Sequence, residues 1–379
     1  MIIKFPNFSN SSLLLIIIFI INLYIFDRFF CNKNDKLESN KQIQNETIIS
    51  NIAEPYFIED NISPLNIELT SDKSGQNGGL SYLTNHTNKK NIQFVHDFIK
   101  NDYNFILPKD TEIVFGAGTT MLIAALYYAL EKKLKRAITI TTNTSIYYNL
   151  HEKISKLLKN IEWIHELSAD LSVIVSPSNP LGIITNPKKI KNKYMLYDVV
   201  YDKPIFTGKF ETVNKELYKE FEKNKRIFIT TSFSKLGIPG VRCGFLFTRD
   251  KDIAKYCKEY VTIVSTRYPS CSITIGRLVY NKYYKDHMWN LNNYNIINKR
   301  RNEFINMAKK HKIKILNKTF FVPFIYTNKS VKWWMKHFNV ETRKGSDFND
   351  TNDNSRFNLM ISQDYWEEFM RRFSLYHNT

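Results

Sequence analysis

Metal-ligand spacing is missing from this sequence. Its four cysteines, Cys31, Cys243, Cys257 and Cys271, never stand at C-x-x-C, and its eight histidines form no H-E-x-x-H. No metal site is therefore expected, and a chain of 379 residues implies no disulfide framework. The cysteines read as small buried apolar side chains. No internal repeat is visible. Acidic residues are in deficit, 36 against 54 lysines and arginines, for a net charge of +18. Such an excess suits nucleic acid or an anionic membrane surface. The lysines are scattered, however, and no basic stripe interleaved with aromatics occurs, so no nucleic-acid partner is expected.

What the chain does have begins with a hydrophobic run. "LLLIIIFIINLYIF", from Leu13 to Phe26, is interrupted only by Asn22 and flanked by Lys4, Arg28 and Lys33. A membrane-spanning helix needs about 20 apolar residues, about 17 at the lower limit. The run sits at that limit and no A-x-A-like cleavage site follows it. It reads as a single-pass signal-anchor over residues 1–30, with a cleaved signal peptide as the alternative. Residues 31–60 read as a polar tether, few of them large and apolar.

From about Asn91 short apolar strands alternate with helical stretches. "TEIVFGAG", "RAITITT", "LSVIVSPSNP", "KYMLYDVVY" and "RIFITTSF" are strand-like runs closed by turn residues, and "TTMLIAALYYALEKKLK" has helical spacing. Such alternation predicts an α/β layer structure around a largely parallel sheet, with ligands beyond the carboxyl ends of the strands. Four motifs fall at those ends. "FGAGTT" places Gly116 and Gly118 before a helix start, where free N–H groups and the helix dipole suit a phosphate. "SPSNPLG" puts Asn179 in a turn. "YDVVY" sets Asp198 and Tyr201 at the end of a buried strand, where an acid is costly without a cationic partner. "TTSFSKLGIPGVRCGF" sets Lys235 in a glycine-rich turn, where partial desolvation makes an amine nucleophilic. Taken singly, each is also an ordinary turn, a strand end or a solvated lysine.

Together the four resemble fold-type-I PLP-dependent aminotransferases, and within them the alliinase and tryptophan-aminotransferase-related group, over roughly Asn66 to Tyr376. "SPSNPLG" is similar to that group's S-P-x-N-P-[DE]-G, "YDVVYDKP" to D-x-A-Y-Y-W-P, and "SFSKLGIPGVRCGF" to S-x-S-K…G-x-R-x-G. "SRFNLM" resembles the segment that carries the family's carboxylate arginine, and "GLSYL" one whose tyrosine reaches the partner subunit's cofactor. The resemblance implies pyridoxal 5′-phosphate as cofactor, joined to Lys235 as a Schiff base, with Lys235 also the proton shuttle. It implies that Asp198 pairs with the pyridinium nitrogen and that Asn179 and Tyr201 bond the ring hydroxyl. Gly118, Thr119, Ser232 and Arg242 would hold the phosphate, joined by Tyr82 from the second subunit of a homodimer. Arg356, with Asn179, would bind the substrate carboxylate. The stacking aromatic falls on Tyr147 or Tyr148.

The resemblance further implies a large domain with a mostly parallel, seven-stranded-type sheet, reached through an N-terminal arm (residues 61–268). A smaller C-terminal α/β domain (269–379) follows, with one long helix from about Ile273 and strands at "KIKIL", "FFVPFIY" and "RFNLMI". The implied function is transamination between an L-amino acid, aromatic ones among the candidates, and a 2-oxo acid. Alternatives are an alliinase-like carbon–sulfur lyase, or a non-catalytic, membrane-tethered protein of the same fold. No EGF-like cysteine module occurs in these residues, which sets the lyase below the transaminase.

Overall fold

The computed structural model describes residues 46–52, 86, 88–166, 168–265 and 269–376. The segment 1–30, most of the tether and Tyr82 lie outside the described residues. From Thr47 onward the chain is one compact unit. Among the described residues no helix is long and apolar enough to cross a membrane.

The strands, in chain order, are β1 (Ile48–Ile49), β2 (Glu112–Ala117), β3 (Ile138–Thr141), β4 (Ile161–Trp163), β5 (Leu171–Val175), β6 (Tyr194–Asp198), β7 (Ile227–Ser232), β8 (Cys243–Thr248), β9 (Phe324–Thr327), β10 (Val340–Glu341), β11 (Arg343–Lys344) and β12 (Ser355–Asn358). Seven of them form the central sheet in the order β2-β8-β7-β6-β5-β3-β4. Only β8 runs against its neighbours; the other pairs are parallel. The largely parallel sheet anticipated from the strand–helix alternation is thus present, with the seven strands that the resemblance implies.

The helices of eight residues or more are α1 (Lys89–Tyr103), α2 (Gly118–Leu134), α3 (Lys251–Val264), α4 (Ser270–Val279), α5 (His287–Lys310), α6 (Val331–Phe338) and α7 (Gln363–Leu375). Successive strand residues point to opposite faces of the sheet, and both faces are apolar here. Leu196, Phe228 and Leu246 pack with Leu122, Leu126 and Ile253 of α2 and α3. Their chain neighbours Tyr197, Ile229 and Phe245, on the opposite face, pack with Phe94 and Phe98 of α1. Burial on both sides explains why these strands read as continuous hydrophobic runs. In α1 the side chain of Asn88 accepts from Asn91 N, and Phe94, Val95, Phe98 and Ile99 form one buried stripe. Fully burying such a side chain contributes about 1.5–3 kcal/mol.

Toward the C-terminus β9, β11 and β12 form an antiparallel sheet, and β1 pairs in parallel with β10. Two expectations are corrected there. The long helix is broken: α4 gives way to a π turn, Tyr280–Tyr284, and α5 starts afresh where Asp286 accepts from Met288 N. "KIKIL" is not a strand; it contributes a single bridge, Ile315 to Thr327. Its lysines alternate with apolar residues, but Leu316 and Lys314 meet the β9 edge only through Tyr326 and Asn328.

Candidate active site

The site lies where β2, β5, β6 and β7 end. At the close of β2 the backbone turns at Gly118, with φ +79°, directly into α2. Ala117 offers no capping side chain, so the first N–H groups of α2 have no side-chain acceptor at that position. A Cβ on Gly118 would strike the guanidinium of Arg242, and one on Gly244 would lie 2.7 Å from the Gly118 carbonyl carbon. Both glycines are therefore required for β8 and the turn before it to lie against the start of α2. Arg242 itself has φ +58° and donates to Pro239 O at 3.1 Å and Ser234 Oγ at 3.5 Å. Ser232 ends β7 opposite Gly244, and its Oγ accepts from Ser234 N. Gly118, Thr119, Ser232 and Arg242 are thus brought together at the start of α2, where free N–H groups and a cation could hold a phosphate.

Asp198 ends β6 between Val175 of β5 and Thr230 of β7. Its Oδ1 accepts from Val200 N at 3.1 Å. Burial pushes its carboxyl up to about 7, against the pull of that backbone bond and of Lys203 and Lys235. A buried carboxyl so raised lacks a strong cationic partner within bonding distance, and a positively charged N–H donor placed against it would stabilise its ionised form. Lys235 stands half-buried in the turn after β7, closed by Leu236 N donating to Phe233 O, and within electrostatic reach of Asp198.

Asn179, buried after β5, joins two groups. Its Nδ2 donates to the Tyr201 hydroxyl at 3.4 Å, and its Oδ1 accepts from Arg356 Nη1 at 3.1 Å. Arg356, on β12, is 1% exposed. Its guanidinium lies over Phe324 at 4.1 Å and near Phe348 at 5.2 Å. Nη2 donates to Asn51 O at 2.8 Å, and the buried Nε has no acceptor. No carboxylate of the described residues pairs with it, and burial lowers it to about 10. β12 is the central strand of its three-stranded sheet, so Arg356 is not an edge-strand arginine open to a surface acid. A fully buried cation without a counter-ion is costly, and a carboxylate bound there would supply the missing anion.

Of the two candidate stacking aromatics, Tyr147 donates its hydroxyl to Glu152 at 2.9 Å and packs on Trp163. Tyr148 faces Phe348 and lies under Arg343, 5.1 Å from its ring centre. An open cleft of about 320 Å³, lined by Thr142, Asn143, Ser145, Tyr147 and His165, lies beside this cluster and does not include Lys235 or Asp198.

Several residues at the site escaped the sequence reading. Lys203, inside the quoted "YDVVYDKP", is buried and donates to Tyr103 and Thr231 hydroxyls at 3.1 and 3.0 Å. Burial lowers it to about 8, opposed by Asp102, Asp202 and Asp198. His151 is buried, its Nδ1 without a partner, and burial pushes it down to about 4. Asn51, Phe324 and Arg343 reach the site from distant segments. Arg343 lies in "ETRKGSDFND", two residues before Gly345, in a stretch with no motif of its own.

The glycine turn against Arg242, the buried acid near a lysine and the arginine without a carboxylate partner lie on the fold-type-I architecture of PLP-dependent enzymes. The family model described as "Allinase" matches residues 71–272, just over half of the chain, and the chain belongs to that family. It is 24% identical over 190 residues to an alliin lyase of Allium cepa var. aggregatum, covering 46% of this chain and 39% of that protein. It is 22% identical over 202 residues to tryptophan aminotransferase-related protein 2 of Arabidopsis thaliana, covering 48% and 43%. The matched stretch is therefore less than half the length of these curated relatives. A multiple substrate aminotransferase from Thermococcus profundus shares the fold, with a TM-score of 0.67 at 15% identity over 92% of this chain and 96% of that one.

Proposed function

We propose that this chain is a PLP-dependent aminotransferase acting on an L-amino acid and a 2-oxo acid. The observation that carries the reading is Arg356: buried, without a carboxylate partner, and bonded to the same asparagine that binds Tyr201. A carboxylate clamp is thereby tied to the group that would bond the cofactor's ring hydroxyl. Bound PLP supplies an electron-withdrawing ring that makes loss of the substrate's α-proton feasible. Lys235 would hold the cofactor through its ε-amine and then take and return the proton at the substrate Cα. Asp198 would keep a proton on the ring nitrogen. Gly118, Thr119, Ser232 and Arg242 would bind the phosphate, and Arg356 would fix the carboxylate so that the Cα–H bond is presented to Lys235.

Two further parts of the reading concern residues outside those described, the first resting on family resemblance and the second on the apolar run from Leu13 to Phe26. The active form is a homodimer in which Tyr82 completes the neighbouring phosphate site, and residues 1–30 anchor the chain to a membrane. Likeness to an alliin lyase supports a second reading, carbon–sulfur elimination. Release of a 2-oxo acid from a cysteine sulfoxide without any amino acceptor separates it from transamination.

The test is Lys235→Ala. Wild-type protein should show the visible absorbance of lysine-bound PLP, and borohydride should fix the cofactor's mass on the Lys235 peptide. The variant should lose both, and turnover, while keeping its fold by circular dichroism. Undiminished transamination by Lys235→Ala would remove the assignment.

A further inference from the structure

β11 and β12 pair so that Arg343 stands directly opposite Arg356. Directly opposed residues of an antiparallel pair share a face, with Cβ atoms about 4.5–5.5 Å apart, and like charges there repel. Arg343 lies close enough to act electrostatically on both Arg356 and the Tyr201 hydroxyl. It therefore lies beside the Arg356 guanidinium and the Tyr201 hydroxyl. One anion holds it: Asp347 Oδ2 accepts from Nε at 3.0 Å. That bond uses only the inner edge of the guanidinium. Among the described residues no protein acceptor meets either Nη atom. The plane rests over the Tyr148 ring, and the side chain is 27% exposed. This is an arginine oriented at one edge and open at the other.

The formal charges agree. Arg343 and Arg356 carry two positive charges, and Asp347 returns one negative. One positive charge is left over. A zwitterionic neutral amino acid leaves that excess in place; an acidic amino acid, with a net charge of −1, cancels it.

We propose that Arg343 forms a second carboxylate subsite and that the amino donor is a dicarboxylic amino acid. Its α-carboxylate would lie on Arg356 and its side-chain carboxylate on the open Nη edge of Arg343, with Asp347 keeping the guanidinium in place. The inference rests on the aminotransferase reading of this same site and adds the substrate class.

The experiment uses PLP-loaded enzyme in two measurements. The first is kcat/KM for aspartate and glutamate against alanine and leucine. The second is calorimetric binding of glutarate and butyrate, which carry two carboxylates and one and cannot react. Acidic donors should be preferred, and glutarate should bind more tightly than butyrate. In Arg343→Gln the acidic donors should lose roughly 100-fold, the worth of a pair of charge-assisted hydrogen bonds, and glutarate should fall to the level of butyrate. Alanine turnover should stay within about threefold, the change expected where no direct contact is lost. Equal binding of glutarate and butyrate by the wild type, or a preference that survives Arg343→Gln, overturns the subsite. Arg343-dependent glutarate selectivity in an enzyme that transaminates nothing would keep the subsite and overturn the aminotransferase reading. Transamination of neutral donors with no dicarboxylate selectivity would do the reverse.

Discussion

Arg356 Nη1 and Asn179 Oδ1 lie 3.1 Å apart, although 177 positions separate the two residues in the chain. The bond joins the C-terminal antiparallel sheet to the loop after β5. Movement at either end therefore changes the distance between the carboxylate clamp and the ring-hydroxyl site. Arg356→Lys keeps the charge but cannot hold Asn179, Asn51 O and a bidentate carboxylate at once. KM for every amino donor should rise on the order of 100-fold, as expected from losing hydrogen bonds to a charged group. The absorbance of bound PLP should be unchanged. A variant that lost PLP and kept its substrate affinity would place Arg356 in the wrong role.

Asp198 makes a prediction about pH. Its folded carboxyl is raised to about 7 from an ordinary 3.8, with burial the largest cause. Below pH 4 the group is protonated both folded and unfolded and costs nothing. Between pH 4 and 7 the unfolded chain releases this proton while the folded chain keeps it, so stability falls as pH rises, and the full cost stands above 7. At about 1.4 kcal/mol per unit the upper limit is about 4 kcal/mol. PLP-free Asp198→Asn should therefore melt at a higher temperature than wild type at pH 8, with the gap shrinking toward pH 4.5. A gap that does not change with pH would show that Asp198 is not the titrating group. With PLP bound, the same variant should lose about 100-fold or more in rate, the scale of removing one preorganised electrostatic group from an active site.

Gly118→Ala tests the phosphate cradle. The position has φ +79°, and a Cβ would meet the Arg242 guanidinium. A strained backbone of this kind costs about 1–3 kcal/mol. The larger effect should be on PLP, whose Kd should rise at least about tenfold if Arg242 is displaced by one charge-assisted contact. Gly240→Ala is the control, since nothing lies within 4 Å of a Cβ there. Equal PLP titrations for the two variants would rule the cradle out.

The parallel sheet and the four motifs were legible because both follow short-range rules. Strands buried on two faces must be apolar throughout, and glycines mark the places where backbones must approach. The pocket wall was not legible. Arg343 acquires its meaning from strand register, which pairs it with Arg356, and neither residue signals the other within the chain. Lys203 stood inside a quoted motif, yet its burial depends on Tyr103 and Thr231 from two other elements. The single long helix failed at Asp286, which reads as a surface acid along a helix but serves as a cap.

The short parallel pairing of β1 with β10 sets the order in which the site can be made. Asn51 O accepts from Arg356 across 305 residues, while Gly118, Asp198 and Lys235 lie at or just beyond the ends of strands that close on one another much earlier in the chain. Loop-closure entropy rises with separation, and domains form from the N-terminus as synthesis proceeds. On a ribosome the phosphate cradle and its lysine would be assembled while Arg356 was still within the tunnel. Affinity for the cofactor would thus precede affinity for the substrate during the life of each molecule. A nascent chain could be charged with PLP before it could bind an amino acid.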